Sequence, residues 1–422
     1  MRIQKHIQAS LKPDHSRCRS RVSLVAVAFL AITFLSPALR AQQLNQLVDF
    51  NGTNGNNPGG KLAMDAAGNI YGTTFYGGNE YCSYGCGTVY RLSKHGSQWM
   101  FSSLFHFNGL HNGAHPWGGI ILGPDGALYG TTYGGGLYSE GVVFKLQPPP
   151  TGCKTAVCYW TETVLYNFTG GSDGAAPQGA IVFDSAGNLY GTTLSGQGSD
   201  GVAYELSPAQ GSWNISVLHA FSGGSDGSGP EDGIAIDGSG NLYGTTFLGG
   251  ANNVGTIYQL THSASGWTEN ILHSFAGGTD GKYPTALTID ASGNLFGGTT
   301  EDGANQDGTA FELQPSGGGF SYSIIYQFGT SFAGPCDAEC GFTLDSAGNL
   351  WGAGDGGTGE GGVIFELSPS NGSWNVTVLW NFDVYDGYEP SGWPIFDAQG
   401  NLYGTTEYGG PDGDGVVWQL VP

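Results

Sequence analysis

The sequence has little positive charge. It contains 13 Lys and Arg residues against 35 Asp and Glu residues in a chain of 422. Residues 1–41 hold seven of the basic residues and one of the acidic ones, so the remainder has a net charge of −28. Nucleic acids and anionic membrane surfaces are therefore excluded as expected partners, because phosphate binding requires a basic surface. Cations and neutral sugars suit this charge better, although the same charge also keeps an exported protein soluble.

Long hydrophobic runs are scarce as well. The run from Val22 to Leu35 follows a basic leader and precedes small residues up to Ala41. This pattern predicts a signal peptide over residues 1–41, and the alternative is an uncleaved anchor, for which the run is short. We therefore expect no membrane span in residues 42–422 and a location outside the cytoplasm, whether secreted, periplasmic or on the cell surface.

Cysteine is sparse, and its spacing is regular. One of the seven cysteines lies in the leader, and the others form three close pairs: Cys82 with Cys86, Cys153 with Cys158, and Cys336 with Cys340. An even number of cysteines in an exported chain predicts disulfides. Each would close a short loop, which stabilises less than a long one does. A metal site is the alternative, but no Cys-x-x-Cys spacing supports it.

Several signatures of enzymes are absent. The chain has no Gly-x-Ser-x-Gly nucleophile turn, no His-Glu-x-x-His zinc helix and no phosphate-binding loop. No single residue is recognisable as a nucleophile or base. Paired carboxylates for glycoside cleavage are compatible with this sequence, because their separation is set in three dimensions.

One phrase is present seven times at a period of about 55 residues. Its first copy is Asp65-Ala66-Ala67-Gly68-Asn69-Ile70-Tyr71-Gly72-Thr73-Thr74. Each unit contains four apolar segments separated by Gly, Asp and Asn turns. In one unit the segments are 180–184, 189–193, 201–206 and 217–221, the last preceded by Trp213. Four antiparallel strands per repeat predict one blade of a β-propeller.

The ends of the chain indicate how the array closes. Leu47-Val48-Asp49-Phe50 matches the fourth strand of a unit, whereas the C-terminus finishes on a third strand, 415–420. The N-terminal strand therefore completes the last blade, which removes the free edges of an open array. The sequence predicts one seven-bladed all-β propeller over residues 42–422, and a pair of smaller propellers is the alternative.

The repeat resembles that of a known family. Gly240-Asn241-Leu242-Tyr243-Gly244-Thr245-Thr246, followed by Phe275-Ala276-Gly277-Gly278-Thr279-Asp280-Gly281, is similar to the GloVer tandem repeat of exported bacterial proteins. The resemblance covers residues 44–422. It implies an extracytoplasmic repeat protein and implies no particular activity or catalytic residue.

The loops that precede each first strand carry a recurring aspartate. The equivalent residues are Asp173, Asp226, Asp280 and Asp386. Repeated on successive blades, these carboxylates would surround one face and bind Ca²⁺ or sugar hydroxyls. Alternatively, an Asp before Gly accepts hydrogen bonds within its own turn. Both interpretations stay open here.

Residues that depart from the repeat are the other candidates. Trp117, Gln178, Glu231 and Glu339 stand at equivalent positions where first strands begin, with Asp232 next to Glu231. Trp117 would stack on a sugar ring, and the acidic residues would bind or donate protons. Ordinary variation at an exposed loop end is the alternative. His111 and His115 near Trp117 are a weaker metal candidate, and His219 and His273 are interpreted as packing residues.

Taken together, these patterns predict a monomeric, non-catalytic binding or scaffold propeller that recognises a glycan or a protein on its Asp/Gly-rich loops. No cofactor is required, and Ca²⁺ is an optional ligand. The alternatives are a carbohydrate-active hydrolase or lyase that uses Glu231, Asp232 and Glu339, and a purely structural surface protein.

Overall fold

The computed structural model describes residues 42–79, 81–150, 160–329, 332–335, 341–358 and 361–421. These residues form seven antiparallel sheets, each with four strand positions. We number the sheets as blades 1 to 7 along the chain and name their strand positions a to d, from the central channel outward. The seven-bladed propeller predicted from the sequence is therefore confirmed.

The first four blades each use four consecutive strands. In order a to d they are Asn56–Met64, Ile70–Tyr76, Thr88–His95 and Gln98–His106 in blade 1; Ile121–Leu122, Leu128–Thr132, Val142–Gln147 and Thr161–Asn167 in blade 2; Val182–Phe183, Leu189–Thr193, Val202–Ala209 and Ser212–Ala220 in blade 3; and Ala235–Ile236, Leu242–Thr246, Thr256–Ser263 and Gly266–Ser274 in blade 4.

In blades 5 and 6, strand a is divided into two segments. The strands are Lys282–Pro284 with Thr288–Ile289, Leu295–Glu301, Thr309–Ser316 and Gly319–Gln327 in blade 5; Phe332–Pro335 with Thr343–Leu344, Leu350–Gly356, Val363–Ser370 and Ser373–Asn381 in blade 6; and Tyr388–Phe396, Leu402–Tyr408, Val416–Val421 and Gln43–Asp49 in blade 7. One turn of 3-10 helix spans Gly278–Asp280. No helix in the described part of the chain is both long enough and apolar enough to cross a membrane.

The ring is closed by the N-terminal strand. Gln43–Asp49 pairs antiparallel with Val416–Val421, from Gln43 opposite Val421 to Asp49 opposite Val416. Phe50, which follows this strand, is completely buried. The predicted completion of the last blade by the first strand is confirmed.

The repeated phrase forms the a–b turn and strand b. In blade 4, one oxygen of Asp237 accepts hydrogen bonds from the backbone N–H groups of Ser239 and Asn241, at 2.8 and 2.9 Å. The other oxygen accepts from the Asn241 amide at 2.8 Å and the Tyr243 hydroxyl at 3.0 Å. These bonds explain why Asp, Asn and Tyr recur together, since the buried Tyr needs a polar partner for its hydroxyl.

The glycine of the phrase lies beneath an aromatic ring from strand c. Gly191 is opposite Tyr204, and a Cβ at this position would lie 2.5 Å from the Tyr204 hydroxyl oxygen. Only a residue without a side chain fits under the ring, so Gly is required by close approach. The ring itself is fully buried between sheets.

Of the three predicted disulfides, the one between Cys82 and Cys86 is present. The bond predicted between Cys153 and Cys158 lies outside the described part of the chain. The same is true of Cys336 and Cys340. These two disulfides stay predictions, as does the signal peptide over residues 1–41, which also falls outside the described residues.

Candidate functional site

Two sets of loops lie at the same end of the ring. The d–a loops join one blade to the next, and the b–c loops lie within each blade. Isolated bridges connect the two types of loop in blades 2, 3 and 4: Ala114 with Gly134, Ala175 with Ser195, and Ser228 with Leu248. We call this end of the ring the mouth face.

Two of the predicted loop aspartates accept hydrogen bonds from their own loops. Asp173 accepts from the Thr169 N–H and from the Tyr166 hydroxyl, both at 2.9 Å. Asp226 accepts from the Ser222 N–H at 2.9 Å and from its hydroxyl at 2.6 Å. Burial opposes ionisation of both carboxyls, but these hydrogen bonds outweigh it and hold the pKa of each below its ordinary value.

The other two loop aspartates are bonded in the same manner. Asp280 lies 3.0 Å from Nε2 of His273. Asp386 accepts from the Trp380 indole N–H at 2.9 Å and from the Asp383 N–H at 2.7 Å. Burial raises the pKa of Asp386 despite these bonds. All four carboxylates thus support turns of the mouth face, and their role in ligand binding stays a prediction.

Trp117, Gln178 and Glu231 stand side by side around the channel. A Cβ on Gly118 would lie 2.6 Å from the Gln178 carbonyl oxygen. A Cβ on Gly179 would lie 2.8 Å from the Glu231 carbonyl oxygen. Neighbouring inner strands therefore meet backbone to backbone at the level where strand a begins. This close contact places the three side chains on adjacent blades at the mouth.

Asp232 lies in the wall beneath the mouth. It is 4% exposed, and its carboxylate accepts a hydrogen bond from the Thr245 hydroxyl at 3.0 Å. Its carbonyl oxygen accepts another from the Thr192 hydroxyl of blade 3 at 3.0 Å. Asp232 is thus held inside the wall, whereas Glu231 beside it is half-buried. Glu339, the third acidic candidate, lies outside the described residues.

A second position on the d–a loops has an unusual backbone conformation. The residue before the loop proline has a positive φ in six blades, between 54° and 63°: Asn57, His115, Ala176, Gly229, Tyr283 and Glu389. This conformation is uncommon for residues other than glycine and is disfavoured before proline. The conformation belongs to the repeat, because in all six blades the backbone N–H of this residue donates a hydrogen bond to the b–c loop of the preceding blade.

In three places a pre-proline residue contacts the end of strand b in the preceding blade. The strand-b residues at this position follow the second threonine of the repeated phrase or its equivalent: Phe75, Tyr133, Leu194, Phe247, Thr300, Asp355 and Glu407. Contacts occur where blade 1 meets blade 2, where blade 4 meets blade 5 and where blade 7 meets blade 1. We call the two sets of residues together the mouth ring.

Aromatic side chains are concentrated where blade 1 meets blade 2. The Phe75 ring stacks on His115, with centroids 4.8 Å apart, and meets Trp117 edge-on at 4.9 Å. The centroid of the Tyr76 ring lies 5.4 Å from that of His115 and 6.0 Å from that of Tyr84. We call these five residues the aromatic cluster. Tyr84 is 85% exposed, so the cluster extends from the channel wall to solvent.

The mouth ring is apolar along one arc. A second aromatic pair, Phe247 and Tyr283, stacks with centroids 4.4 Å apart. Between the two aromatic pairs the ring carries Tyr133 and Leu194. The arc from blade 1 to blade 5 therefore presents mainly aromatic and aliphatic side chains.

The remaining arc is acidic. Glu407 accepts a hydrogen bond from the Asn57 amide at 3.3 Å. Burial, followed by the negative charges of Glu407 and Glu389, raises the pKa of Tyr408, and the Tyr76 phenol contributes as well. Tyr408 is therefore close enough to these carboxylates and to Tyr76 for their charges to act on it. We call Asp355, Glu389 and Glu407 the acidic arc.

Beneath the mouth, two large side chains occupy the channel. Lys61 and Trp393 stand where five other blades have Gly or Ala, and the Lys61 ammonium lies 4.5 Å above the Trp393 ring. Burial lowers the pKa of Lys61. Beyond them lies a cavity of about 490 Å³, lined by strand-a residues that include Ile236, Ile289 and Leu344. The channel is thus apolar below its mouth.

The mouth ring was not predicted from the sequence as a set, and of its members only His115 was a candidate, as a metal ligand. The variable residues after the loop proline are Trp117, Gln178 and Glu231. The signal that was available is the residue before that proline, which varies among Asn, His, Ala, Gly, Tyr and Glu within an otherwise regular loop. The corresponding signal in strand b is the variable residue that follows the threonines.

A family comparison agrees with the repeat seen in the structure. The Gloeobacter/Verrucomicrobia repeat matches residues 33–200 and 184–418. The chain belongs to this repeat family. The family is the one that the GloVer resemblance indicated. No curated protein matches the sequence significantly.

Solved structures similar to this repeat protein share its fold at low sequence identity. A fungal alcohol oxidase of the AA5 family, in complex with copper, has a TM-score of 0.54 and 12% identity, covering 90% of this chain and 76% of its own. The polysaccharide lyase Uly1 has a TM-score of 0.50 and 10% identity, covering 86% and 89%. A 6-phosphogluconolactonase homologue from Bacteroides uniformis, described as putative, has a TM-score of 0.49 and 15% identity, covering 75% and 83%. At these identities the similarity extends to the fold alone.

Proposed function

We propose that this protein acts outside the cytoplasm as a monomer and binds a glycan on its mouth face without cleaving it. The observation that carries the proposal is the aromatic cluster, which leads from solvent at Tyr84 to the channel wall at Trp117. Aromatic rings offer large rigid apolar faces with polar edges. The apolar faces of sugar rings pack against such surfaces, while nearby polar groups bind the hydroxyls.

The negative charge of the acidic arc favours a ligand that is neutral or cationic. The charges of Glu389 and Glu407 act on Tyr408, as does Tyr76 of the aromatic cluster. Carboxylates accept hydrogen bonds from sugar hydroxyls and repel anionic polymers, so a neutral or cationic glycan is the proposed ligand. The proposal requires no cofactor. Ca²⁺ is an optional ligand of the acidic arc, since this hard cation prefers oxygen donors.

The location in this proposal rests on the leader-like residues 1–41 and on the disulfide between Cys82 and Cys86. Disulfides persist in oxidising compartments and are rare in the cytosol. The absence of a spanning helix among the described residues is compatible with that location.

Glycan binding is tested by affinity electrophoresis of residues 42–422 in gels containing single neutral or cationic polysaccharides. We expect one polymer to retard the protein. Tyr84→Ala and Tyr408→Ala each remove an exposed ring from the proposed surface, so each should weaken retardation at least fivefold.

Met100→Ala is the matched control. Met100 is 53% exposed, like the tyrosines, but lies on strand d at the outer edge of blade 1. Its substitution should leave retardation unchanged. Failure of every polymer to retard the protein, or equal retardation of both tyrosine variants and the parent, contradicts the proposal and directs attention to a protein ligand.

A carbohydrate-active enzyme is the second candidate, favoured by the carboxylates at the mouth. Glycosidases use two carboxyl groups about 5–10 Å apart, and Glu389, Glu407 and Glu231 are available. Incubation with the same polysaccharides, followed by quantification of new reducing or unsaturated chain ends, decides between the two. New ends that disappear in Glu407→Gln or Glu231→Gln overturn the non-catalytic proposal.

A further inference from the structure

Three side chains with metal-ligating atoms meet between blades 3 and 4, away from the channel. His219 lies on strand d of blade 3, Asp226 on the loop that follows, and Glu269 on strand d of blade 4. Nε2 of His219 is 3.4 Å from Oδ2 of Asp226 and 3.4 Å from Oε1 of Glu269. One ligand atom from each residue lies within 4.8 Å of the other two.

The equivalent position between blades 4 and 5 is filled differently. There His273 lies 3.0 Å from Asp280, and its ring stacks on Tyr322 with centroids 3.7 Å apart and an interplanar angle of 9°. Tyr322 occupies the place of Glu269. This arrangement is a packed histidine with one hydrogen bond, as the sequence predicted for both His219 and His273.

Between blades 2 and 3 the histidine is replaced as well. Tyr166 donates its hydroxyl to Asp173 at 2.9 Å, and the position of Glu269 is taken by Ile215. Among these three compared positions, a histidine and two carboxylates come together only between blades 3 and 4. Glu269, which no sequence pattern singles out, therefore distinguishes His219 from an ordinary packing residue.

Two polar atoms of this group lack ordinary partners. Nε2 of His219 and Oε1 of Glu269 are both inaccessible to solvent and have no hydrogen-bond partner of normal geometry. Leaving such buried atoms unsatisfied is costly. A cation between the three side chains would relieve both the unsatisfied atoms and the repulsion between the carboxylates.

The spacing also suits a specific class of ion. Zinc bound tetrahedrally at about 2.0–2.2 Å places its ligand atoms roughly 3.4 Å apart, and both histidine–carboxylate distances here are 3.4 Å. An imidazole ligand favours Zn²⁺ and related transition metals over Ca²⁺ or Mg²⁺. The Asp226 carboxylate is already fixed by two hydrogen bonds from Ser222, as expected for a ligand oriented in advance.

We propose that His219, Asp226 and Glu269 bind one Zn²⁺-class divalent ion that links blade 3 to blade 4. A water molecule completes the coordination, since the three side chains remain 13–22% exposed. This site is independent of the glycan proposed for the mouth face. Its role is to fasten two adjacent blades at their outer strands.

The test uses residues 42–422 without a histidine tag, treated with a chelator and then titrated with Zn²⁺ by isothermal calorimetry. We expect one equivalent to bind with micromolar or tighter affinity. Co²⁺ substituted into the site should give the strong visible absorption of a tetrahedral complex. Melting temperature should rise with Zn²⁺ and fall back with the chelator.

Two variants reproduce arrangements found in other blades. Glu269→Tyr introduces the residue that stands at Tyr322, and His219→Tyr introduces the one that stands at Tyr166. Each should weaken Zn²⁺ binding at least tenfold, as should Glu269→Gln, which preserves the side-chain volume. Circular dichroism verifies that each variant is folded.

His273→Tyr is the matched control, because it makes the same substitution where no second carboxylate is present. Its Zn²⁺ affinity should equal that of the parent protein. The proposal is overturned if the parent protein does not bind Zn²⁺ at one equivalent. Equal binding by the parent and the Glu269 variants overturns it as well.

Discussion

At the scale of single residues, the interior contains carboxyl groups that the fold does not fully satisfy. Glu162, on strand d of blade 2, has a buried oxygen without a hydrogen-bond partner among the described residues. Burial raises the pKa of this carboxyl to about 7 from its ordinary 4.5. The folded state therefore holds a proton that the unfolded state releases between these values. Stability falls as pH rises through this interval, because the charged form is disfavoured in the folded protein.

Glu162→Gln should stabilise the protein at pH 8 by roughly 1–2 kcal/mol. The full shift corresponds to about 3 kcal/mol, and contact with solvent reduces it. Near pH 4 the substitution should have little effect, because the carboxyl is protonated in both states. Thermal melting of both proteins at the two pH values measures the difference. An equal change in stability at both pH values would show that Glu162 acts through packing rather than charge.

At the scale of elements, each a–b turn is fixed by one aspartate, and the number of bonds to it differs between blades. Asp237 in blade 4 accepts four hydrogen bonds, one of them from the Tyr243 hydroxyl. Asp290 in blade 5 accepts the three turn bonds, and Phe296 replaces the tyrosine. The same turn thus occurs with and without a bond to strand b.

Asp237→Ala should destabilise the protein by roughly 2–4 kcal/mol, since it leaves several partly buried donors unpaired. Asp290→Ala removes one bond fewer and should cost about 1 kcal/mol less. Urea unfolding of the two variants, compared with the parent protein, gives both values. A larger loss for Asp290→Ala would contradict the view that the tyrosine bond adds to the turn.

At the scale of the whole molecule, stability depends on a contact between the two ends of the described chain. Gln43–Asp49 supplies strand d of blade 7, and the Val48 and Phe50 side chains pack with Leu62 and Tyr90 of blade 1. This strand therefore joins blade 7 to blade 1 and covers an edge that would otherwise pair with other chains.

A protein beginning at residue 51 should melt at least 10 °C below one beginning at residue 42 and should form dimers or aggregates, because the edge at Val416–Val421 is uncovered. Light scattering after size exclusion, together with thermal melting, tests this. A synthetic peptide of residues 42–50 should restore monomer and melting temperature. A truncated protein that stays monomeric with unchanged melting would show that closure does not depend on this strand.

The sequence by itself determined the architecture. Seven copies of one phrase place a turn, a strand and a buried glycine at fixed intervals, and these are local requirements of hydrogen bonding and steric fit. Asp65, Asn69 and Gly72 have equivalents with the same role in six of the seven copies, and in blade 2 Gly123 and Ala127 replace the Asp and the Asn, so repetition made these residues visible. Leu47–Phe50 matches the fourth strand of a unit but precedes the first complete unit, and this position determined the number of blades and the closure of the ring. The cysteine spacing likewise identified the disulfide at Cys82.

Tertiary structure alone decided which variable residues meet. Phe75 and His115 lie 40 residues apart and stack only because adjacent blades meet at the mouth. His219 and Glu269 belong to different blades and approach within 3.4 Å across their outer strands. Such contacts depend on the twist of each sheet and the packing between sheets, which sequence periodicity does not encode. The repeat defines each blade, whereas the sites arise between blades.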